Sequence, residues 1–264
     1  MEIREHYNNL KRKSHVRHDS ETANIRYINN FIKAILIRYY VRPKMSILDL
    51  GCGRGGDLKK FSASNISEYY GLDISEASVY DARLRHNCGS SDFRCYFDSL
   101  DVYNTVFNLK KEFDTISCQF SLHYAFSSVK SCEITVGNIN RHLKIGGYFI
   151  FTVPNKEEIL RRYKEDKLNN KFFRIRYSGE GNEYYFTLTD CIDDCIEYFV
   201  DMKLLISLFD FFNIRLVRRE LFDEFYSSAY KFNREMAVRM KCGDLSKEDL
   251  EVISLYEVCV FKKF

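Results

Sequence analysis

The sequence predicts an α/β fold in which a doubly wound, mostly parallel sheet of seven strands carries helices on both faces. Short apolar runs alternate with helix-forming segments over residues 46–153, a pattern typical of parallel strands joined by crossover helices. Two further apolar runs, at residues 214–217 and 256–261, predict an antiparallel pair at one edge of the sheet. The length of 264 residues suits one large domain, residues 1–264, of this kind.

The elements follow from spacing and composition. Isoleucines at helical spacing predict a first helix over residues 22–39. The parallel strands are predicted at residues 46–50, 68–73, 93–97, 113–119 and 148–153, with helices at residues 57–62 and 76–86. The first 20 residues are polar and basic and predict a mobile arm. Residues 160–200 form a charged, aromatic-rich excursion, which in a compact domain often serves as a lid or substrate wall.

Composition excludes several classes of protein. With 45% hydrophobic and 29% charged residues, the chain is expected to fold and to be soluble. No apolar run approaches the roughly 20 residues that cross a bilayer, and the charged N-terminus lacks a signal core, so no membrane partner is expected. Nine irregularly spaced cysteines indicate reduced intracellular thiols. Cys191 and Cys195 lack a second pair at metal-site spacing, and no metal is expected.

The run ILDLGCGRGGD at residues 47–57 is the most informative stretch. An apolar strand is followed by four glycines within six residues, Gly51 to Gly56. Glycines are required where the backbone bends sharply and a ligand approaches it closely. The turn is therefore predicted to bind an adenosine-like ligand, although an ordinary glycine-rich turn with solvated acids remains an alternative.

The acids around this turn indicate which ligand it binds. Asp49 and Asp57 would oppose the pyrophosphate of a dinucleotide, which rests at the helix start. An acidic rim favours instead a ligand with an ammonium and a sulfonium, such as S-adenosyl-L-methionine (SAM). Asp73 ends the next strand, where a carboxylate can bind a ribose diol. Because ligands of such sheets bind at the carboxyl ends of the strands, residues 101, 119–124 and 154 are expected nearby.

Several runs resemble the mRNA cap guanine-N7 methyltransferases. They are GCGRGGD at residues 51–57, QFSLHYAF at 119–126, GGYFIFTVPN at 146–155, HYN at 6–8, NNFIK at 29–33, IEYF at 196–199 and YEV at 256–258. The resemblance covers nearly the whole chain. It implies a single class I methyltransferase domain, Rossmann-like, that moves a methyl group from SAM to N7 of the terminal guanosine of GpppN-capped RNA.

The resemblance also implies roles for individual residues. Those expected to bind SAM are Lys33, Gly51, Asp57, Asp73, Asp101, Gln119, Ser121 and Tyr124. Those expected to face the cap are Asn29, Asn30, Arg54, Lys60, Arg85, His123, Glu197 and Tyr256, with Phe120, Pro154 and Phe186 as an apolar wall around the guanine. Arg54 stands where many members have lysine, which keeps the charge but changes the geometry of a phosphate contact.

The expected chemistry requires no general base, because guanine N7 carries a lone pair and no proton. Glu197, His123 and Tyr256 are the catalytic candidates, acting by position and electrostatics. Glu197 is expected to accept hydrogen bonds from guanine N1–H and N2–H, and His123 to donate to O6. Structural alternatives remain open: Glu197 as a solvated charge, His123 as a structural hydrogen bonder and Asp101 as a turn residue.

The resemblance implies 5'-capped mRNA as substrate, a nuclear location, and a capping guanylyltransferase, triphosphatase or RNA polymerase II as protein partners. Two alternatives remain. The chain is a SAM-dependent methyltransferase for another RNA or a small molecule, or it is a catalytically inactive methyltransferase fold that binds RNA. An inactive chain is expected to have lost part of its cofactor rim, whereas here Asp49, Gly51, Gly53, Asp57 and Asp73 are all present.

Overall fold

The structure of the chain is a computed structural model that describes residues 4, 5, 8, 20–89 and 93–264. Most of the basic arm predicted at residues 1–20, including His6 and Tyr7, lies outside the described residues. The predicted strand at residues 93–97 begins directly after the undescribed residues 90–92 and is described from residue 93 onward.

Within the described residues, ten strands form two sheets. They are β1 (Ser46–Leu50), β2 (Glu68–Asp73), β3 (Arg94–Ser99), β4 (Phe113–Gln119), β5 (Leu143–Pro154), β6 (Phe173–Arg176), β7 (Glu183–Leu188), β8 (Ile192–Tyr198), β9 (Ile214–Leu221) and β10 (Tyr256–Lys263). The larger sheet has seven strands in the order β3-β2-β1-β4-β5-β10-β9. Its first five strands are parallel, and β10 runs antiparallel to both β5 and β9. The predicted doubly wound sheet with an antiparallel edge is therefore confirmed.

Helices cover both faces of this sheet. They are α1 (Ala23–Tyr40), α2 (Leu58–Ser62), α3 (Glu76–Asn87), α4 (Val129–His142), α5 (Lys156–Lys164), α6 (Met202–Asp210), α7 (Phe222–Phe232), α8 (Arg234–Arg239) and α9 (Lys247–Ile253), with a 3-10 helix at Leu122–Ser127. Strand β1 is buried along its whole length. Ile47 packs into a core cluster that includes α1 and α7, whereas Leu48 and Leu50 pack into a second cluster that includes α4 and α6. The alternation of side chains along a strand thus supplies both cores.

The excursion at residues 160–200 contains a second, three-stranded antiparallel sheet in the order β6-β7-β8. Its apolar face carries Phe173, Tyr184 and Phe186, which join the core cluster of α1. Its other face is exposed and charged, with Arg176 paired to Asp194 at 2.5 Å. The excursion therefore folds as a small sheet of its own, and its role as a lid or substrate wall stays a prediction.

The predicted boundaries differ from the structure mainly at β5, which begins at Leu143 rather than at residue 148. The sequence predicted Gly146 and Gly147 to precede this strand. In the structure they lie inside it, and an irregularity in the pairing of β4 with β5 accommodates them. All nine cysteines are described, and none forms a disulfide. Within the described ranges, no helix is long and apolar enough to cross a membrane, and no three metal-ligating side chains cluster together.

Candidate active site

A cavity of about 410 Å³ opens at the carboxyl ends of β1, β2 and β4. All eight residues predicted to bind SAM line it: Lys33, Gly51, Asp57, Asp73, Asp101, Gln119, Ser121 and Tyr124. Of the residues predicted to face the cap, Arg54, Arg85 and Phe120 line the same cavity. The topology therefore brings together residues that are spread over about 90 positions of the sequence.

The glycine-rich turn leaves β1 in a conformation that only glycine adopts easily. Gly51 has φ +72°, and a Cβ there would lie 2.3 Å from Ser121 Oγ. Gly53 has φ +51°, and no atom lies within 4 Å of the position of its Cβ. Gly51 is thus required by the packing of the protein itself. At Gly53 the absence of a side chain leaves space in which a ligand can approach the backbone.

Asp73 and Asp101 present carboxylates to the cavity. Asp73 accepts hydrogen bonds from the backbone N–H groups of Gly53 at 2.8 Å and Ser75 at 2.9 Å. Burial raises the pKa of Asp73, and these two N–H groups oppose the rise. Asp101 accepts from the backbone N–H groups of Tyr103 and Asn104. It is therefore both a turn residue, as the alternative interpretation held, and a cavity-lining residue.

The prediction of an acidic rim at Asp49 and Asp57 is wrong. Asp49 is 3% exposed and does not line the cavity; it accepts a hydrogen bond from the Tyr69 hydroxyl at 2.7 Å, and burial raises its pKa to about 7. Asp57 does line the cavity, but its carboxylate lies 2.8 Å from Lys33 Nζ and 2.6 Å from Lys60 Nζ. Burial opposes ionisation of Asp57, yet the two ammonium groups hold its pKa well below its ordinary value. The three charges together are positive, so the favourable acids of the cavity are Asp73 and Asp101.

Lys60 is not placed as a cavity residue. Its ammonium donates to Asp57, to Asn30 Oδ1 at 2.8 Å and to the carbonyl of Gly56 at 3.2 Å. Its side chain is only 10% exposed. The three cations predicted to converge on a triphosphate therefore separate: Arg54 and Arg85 line the cavity, and Lys60 lies behind it, where it holds Asn30.

Two further residues predicted to face the cap contact cavity-lining rings: Tyr256 contacts Phe120, and His123 contacts Tyr124. His123 Nε2 lies 3.9 Å from Glu197 Oε1, and both side chains are buried. The His123 ring is 4.2 Å from that of Tyr124. Tyr256 pairs with Pro154 across β10 and β5. We call the set His123, Pro154, Phe186, Glu197 and Tyr256 the purine-side cluster.

Phe120 lines the cavity and also contacts this cluster. Its φ of +57° is rare for an aromatic residue. The backbone N–H of Phe120 donates to the carbonyl and to the hydroxyl of Thr152, which fix that conformation. The ring lies 5.2 Å from that of Tyr256, and Lys33 Nζ lies 5.8 Å from its centre. Backbone conformations of this kind cost about 1–3 kcal/mol and concentrate at functional sites.

Burial sets the charge states in the purine-side cluster. It raises the pKa of Glu197 to about 7, although the Tyr184 hydroxyl donates to Glu197 Oε2 at 2.8 Å and opposes the rise. It lowers the pKa of His123 to about 3. The imidazole is therefore neutral at neutral pH, and its 3.9 Å approach to Glu197 is not an ion pair. This result excludes the solvated-charge interpretation of Glu197.

Two of the side chains predicted to face the cap are among those that bury polar atoms without a partner in the described residues. Both ring nitrogens of His123 and Oδ1 of Asn29 are buried and form no hydrogen bond with any described residue. An unsatisfied buried polar group costs about 1–3 kcal/mol. A structural role for His123 would supply such a partner, so the arrangement favours a ligand with its own donors and acceptors.

Comparison with known proteins decides the family. The family model for the mRNA (guanine-N(7))-methyltransferase domain matches residues 1–264. The chain belongs to the mRNA cap guanine-N7 methyltransferase family. It is 34% identical over 257 residues to the mRNA cap guanine-N(7) methyltransferase of Saccharomyces cerevisiae, which covers 85% of this chain and 58% of that protein. It is 30% identical over 285 residues to mRNA cap guanine-N(7) methyltransferase 1 of Arabidopsis thaliana, with 94% and 76% covered.

The chain is shorter than several of these family members. It spans 35% of the length of the Cryptococcus neoformans relative and 59% of that of the Eremothecium gossypii relative. Among solved structures, a SAM-dependent methyltransferase from Clostridium acetobutylicum superposes with a TM-score of 0.57 at 15% identity, covering 94% of each chain. The CcbJ methyltransferase from Streptomyces caelestis gives 0.57 at 11% identity, covering 89% of each chain. These likenesses show the class I methyltransferase fold.

The cavity of this cap methyltransferase family member fits SAM. Asp73 retains lone pairs on both oxygens for a ribose diol beyond the two N–H groups that it accepts. The open space at Gly53 admits a ligand against the backbone. Gln119 lines the cavity, and its Oε1 is a buried acceptor with no partner among the described residues. These groups can hold the ribose and a cationic end of SAM.

Residues of two kinds at this site were not predicted from the sequence. Tyr184, which holds Glu197, lies directly opposite it in the pairing of β7 with β8, and the alternation of Tyr184 with Phe186 was a usable signal for a common face. Cys191, in the turn between β7 and β8, and Ile192, the first residue of β8, line the cavity. No local pattern identifies them, because their position depends on how the second sheet folds over the strand ends.

Proposed function

We propose that this protein transfers the methyl group of SAM to N7 of the terminal guanosine of GpppN-capped RNA. Membership of the cap methyltransferase family and the SAM-sized cavity support this activity. The observation that carries the proposal is the purine-side cluster next to the cavity. There, a buried acid and an imidazole with two unpartnered nitrogens lie among aromatic rings.

The residues of the chain contribute position and charge. SAM, when bound, supplies a methyl group on a positively charged sulfonium. Methylation makes the purine cationic, and an ionised Glu197 on the purine side stabilises that charge in a site removed from water. The Tyr184 hydroxyl fixes one oxygen of Glu197 at 2.8 Å and leaves the carboxylate able to accept from guanine N1–H and N2–H.

The other cluster residues orient the base. His123 is neutral, so it carries one N–H that can donate to guanine O6 and needs no role as a base. Tyr256, Phe120 and Phe186 give the apolar, aromatic walls that a purine requires. Arg54 and Arg85 on the cavity wall are the candidates for the triphosphate bridge.

The test is a methyl-transfer assay with labelled SAM and GpppG-ended RNA. N7-methylguanosine is expected after nuclease digestion, and excess free GpppG is expected to block its formation. Glu197→Gln is expected to lower turnover at least about tenfold, roughly 1.4 kcal/mol. Glu183→Gln is the matched control, because Glu183 is exposed on the neighbouring strand. A wild-type protein that leaves capped RNA unmethylated, or that GpppG does not inhibit, contradicts the proposal.

We further propose that the protein acts in the nucleus together with a capping guanylyltransferase, a triphosphatase or RNA polymerase II. The proposed substrate supports this assignment, because a GpppN end must first be made on a nascent transcript. Imaging of the tagged full-length protein tests the location, and purification of its complexes tests the partners. Exclusion of the protein from the nucleus would reject the proposed location. Purified complexes that lack the guanylyltransferase, the triphosphatase and RNA polymerase II would reject the proposed partners.

A further inference from the structure

The connection from β3 to β4 forms the wall of the cavity beside Asp73. The residues of this connection that line the cavity are Leu100, Asp101, Val102, Tyr103 and Asn104. The backbone N–H of Leu100 donates to the carbonyl of Asp73 at 2.9 Å, so the wall begins next to the acid that fits the ribose of SAM. A ribose bound at Asp73 therefore leaves this connection to hold the adenine.

The Asp101 carboxylate is held at both of its oxygens. Oδ1 accepts from the backbone N–H groups of Tyr103 at 3.2 Å and Asn104 at 3.1 Å. These two bonds are those of an ordinary aspartate turn. Oδ2 accepts from the side-chain amide of Asn104 at 3.1 Å. This further bond fixes the rotation of the carboxylate and leaves Oδ2 a lone pair for a ligand.

The side-chain amide of Asn104 is itself oriented by α4. The hydroxyl of Ser131, a buried residue of that helix, donates to Asn104 Oδ1 at 2.6 Å. Because a carboxylate accepts hydrogen bonds and cannot donate them, the NH2 group of Asn104 must be the one that faces Asp101. Asn138 of α4 also donates to two backbone carbonyls of the connection, at 3.2 Å and 2.8 Å. The helix thus holds both the backbone of the connection and the amide that sets the carboxylate.

From this arrangement we infer that Asn104, oriented by Ser131, is a positioning residue that rotates the Asp101 carboxylate to accept the 6-amino group of the adenine of SAM. The inference rests on SAM as the methyl donor of the proposed function. A carboxylate attracts the 6-amino group of adenine and repels the 6-oxo group of hypoxanthine. Asn104 therefore acts on the choice of base, which a residue that only stabilised the fold would not do.

The experiment measures by calorimetry the Kd values of S-adenosylhomocysteine and of S-inosylhomocysteine, in which a 6-oxo group replaces the 6-amino group. Wild-type protein is expected to bind the adenosyl compound at least about 30-fold more tightly. Asn104→Ala is expected to raise the Kd of the adenosyl compound about fivefold, the effect of one weakened hydrogen bond, and to leave that of the inosyl compound unchanged. Asn104 is exposed, so alanine leaves the core intact. Ser131→Ala should change the ratio in the same direction, by about twofold.

Asn108→Ala is the matched control. Asn108 is an exposed asparagine of the same connection, and it accepts from the backbone N–H of Lys110 at 2.8 Å rather than lining the cavity. Its replacement should leave both Kd values unchanged.

The inference is overturned if Asn104→Ala leaves the Kd of the adenosyl compound at the wild-type value. It is also overturned if that variant raises both Kd values equally, as expected of a residue that is structural only, or if wild-type protein does not prefer the adenosyl compound. Failure of the proposed function is distinct, because wild-type protein would then leave capped RNA unmethylated whatever the two Kd values are.

Discussion

At the scale of single residues, Glu197 illustrates how burial prepares a group for catalysis. Only 5% of the residue is exposed, and burial raises its pKa to about 7. A carboxyl group at the surface would be fully ionised at neutral pH but screened by water. In this buried position, ionisation of Glu197 costs free energy when no ligand is bound. When a cationic purine forms beside the carboxylate, the low local dielectric strengthens the attraction between the two charges.

The proposed role of Glu197 predicts a pH dependence. Because the ionised form is needed and exists above the pKa, kcat/KM for the cap should rise with pH through about 7, with about a tenfold gain between pH 6 and the plateau. The assay varies GpppG at saturating SAM. His123, with a pKa of about 3, does not titrate in this range. In Glu197→Gln, kcat/KM should be low and should not change with pH over the same range. A rise of equal size in that variant would assign the titration to another group.

Tyr184 should tune that titration. Its hydroxyl donates to Glu197 Oε2 and stabilises the ionised form, so Tyr184→Phe should raise the pKa of Glu197 and move the rising limb up by about one pH unit. Activity should approach the wild-type value at the alkaline end. Tyr185→Phe is the control, since Tyr185 lies on the exposed face of β7. Reduced activity at every pH with an unmoved midpoint would indicate that Tyr184 is structural only.

At the scale of elements, the connection from β1 to α2 depends on glycine at Gly51. The backbone there is left-handed, and Ser121 occupies the space where a Cβ would lie. Ser121 is itself fixed, because it accepts from the Tyr103 hydroxyl at 2.9 Å and donates to the carbonyl of Leu50 at 3.2 Å. The turn and the end of β4 are therefore locked to each other, which positions both walls of the cavity.

Gly51→Ala should lower the free energy of unfolding by about 3 kcal/mol, because alanine is unfavourable in a left-handed conformation and its Cβ would overlap Ser121. Gly137→Ala is the matched control. Gly137 lies inside α4 with no atom within 4 Å of its Cβ position, so alanine should raise the stability by about 1 kcal/mol. Urea unfolding monitored by circular dichroism measures both. Changes of the same sign would show that the space at Gly51 is not limiting.

The second sheet is the element that most alters the site. Strands β7 and β8 bring Tyr184 opposite Glu197. The turn between them supplies Cys191 to the cavity, and the first residue of β8 supplies Ile192. The same turn contacts the residue before α1, because the Thr22 hydroxyl donates to the carbonyl of Thr189 at 3.1 Å. The excursion is therefore a wall shared by the cofactor cavity and the purine-side cluster.

At the scale of the whole molecule, the cavity is assembled from loops of several strands, so ligand binding should stabilise the entire fold. SAM at about 100 times its Kd should add about 2.7 kcal/mol. For a chain of this size that corresponds to a Tm increase of about 5–10 °C.

In Asp73→Asn the SAM-dependent increase should be much smaller, because an amide offers a ribose diol one acceptor oxygen in place of two. Asp193→Asn, an exposed residue of β8, should show the wild-type increase. Differential scanning fluorimetry with and without SAM measures the change within each protein, so a lower Tm of the ligand-free variant does not interfere. An undiminished increase in Asp73→Asn would remove Asp73 from the SAM site.

The sequence by itself determined the strands of the larger sheet, the glycine turn and the residues expected to bind SAM, because these depend on local periodicity, on backbone conformation and on runs shared with a family. It could not determine charge states. The predicted acidic rim failed since Lys33, which lies 24 positions before Asp57, reaches it only in the folded chain. The neutral imidazole of His123 and the raised pKa of Glu197 likewise arise from desolvation, which depends on what the tertiary structure packs around each group.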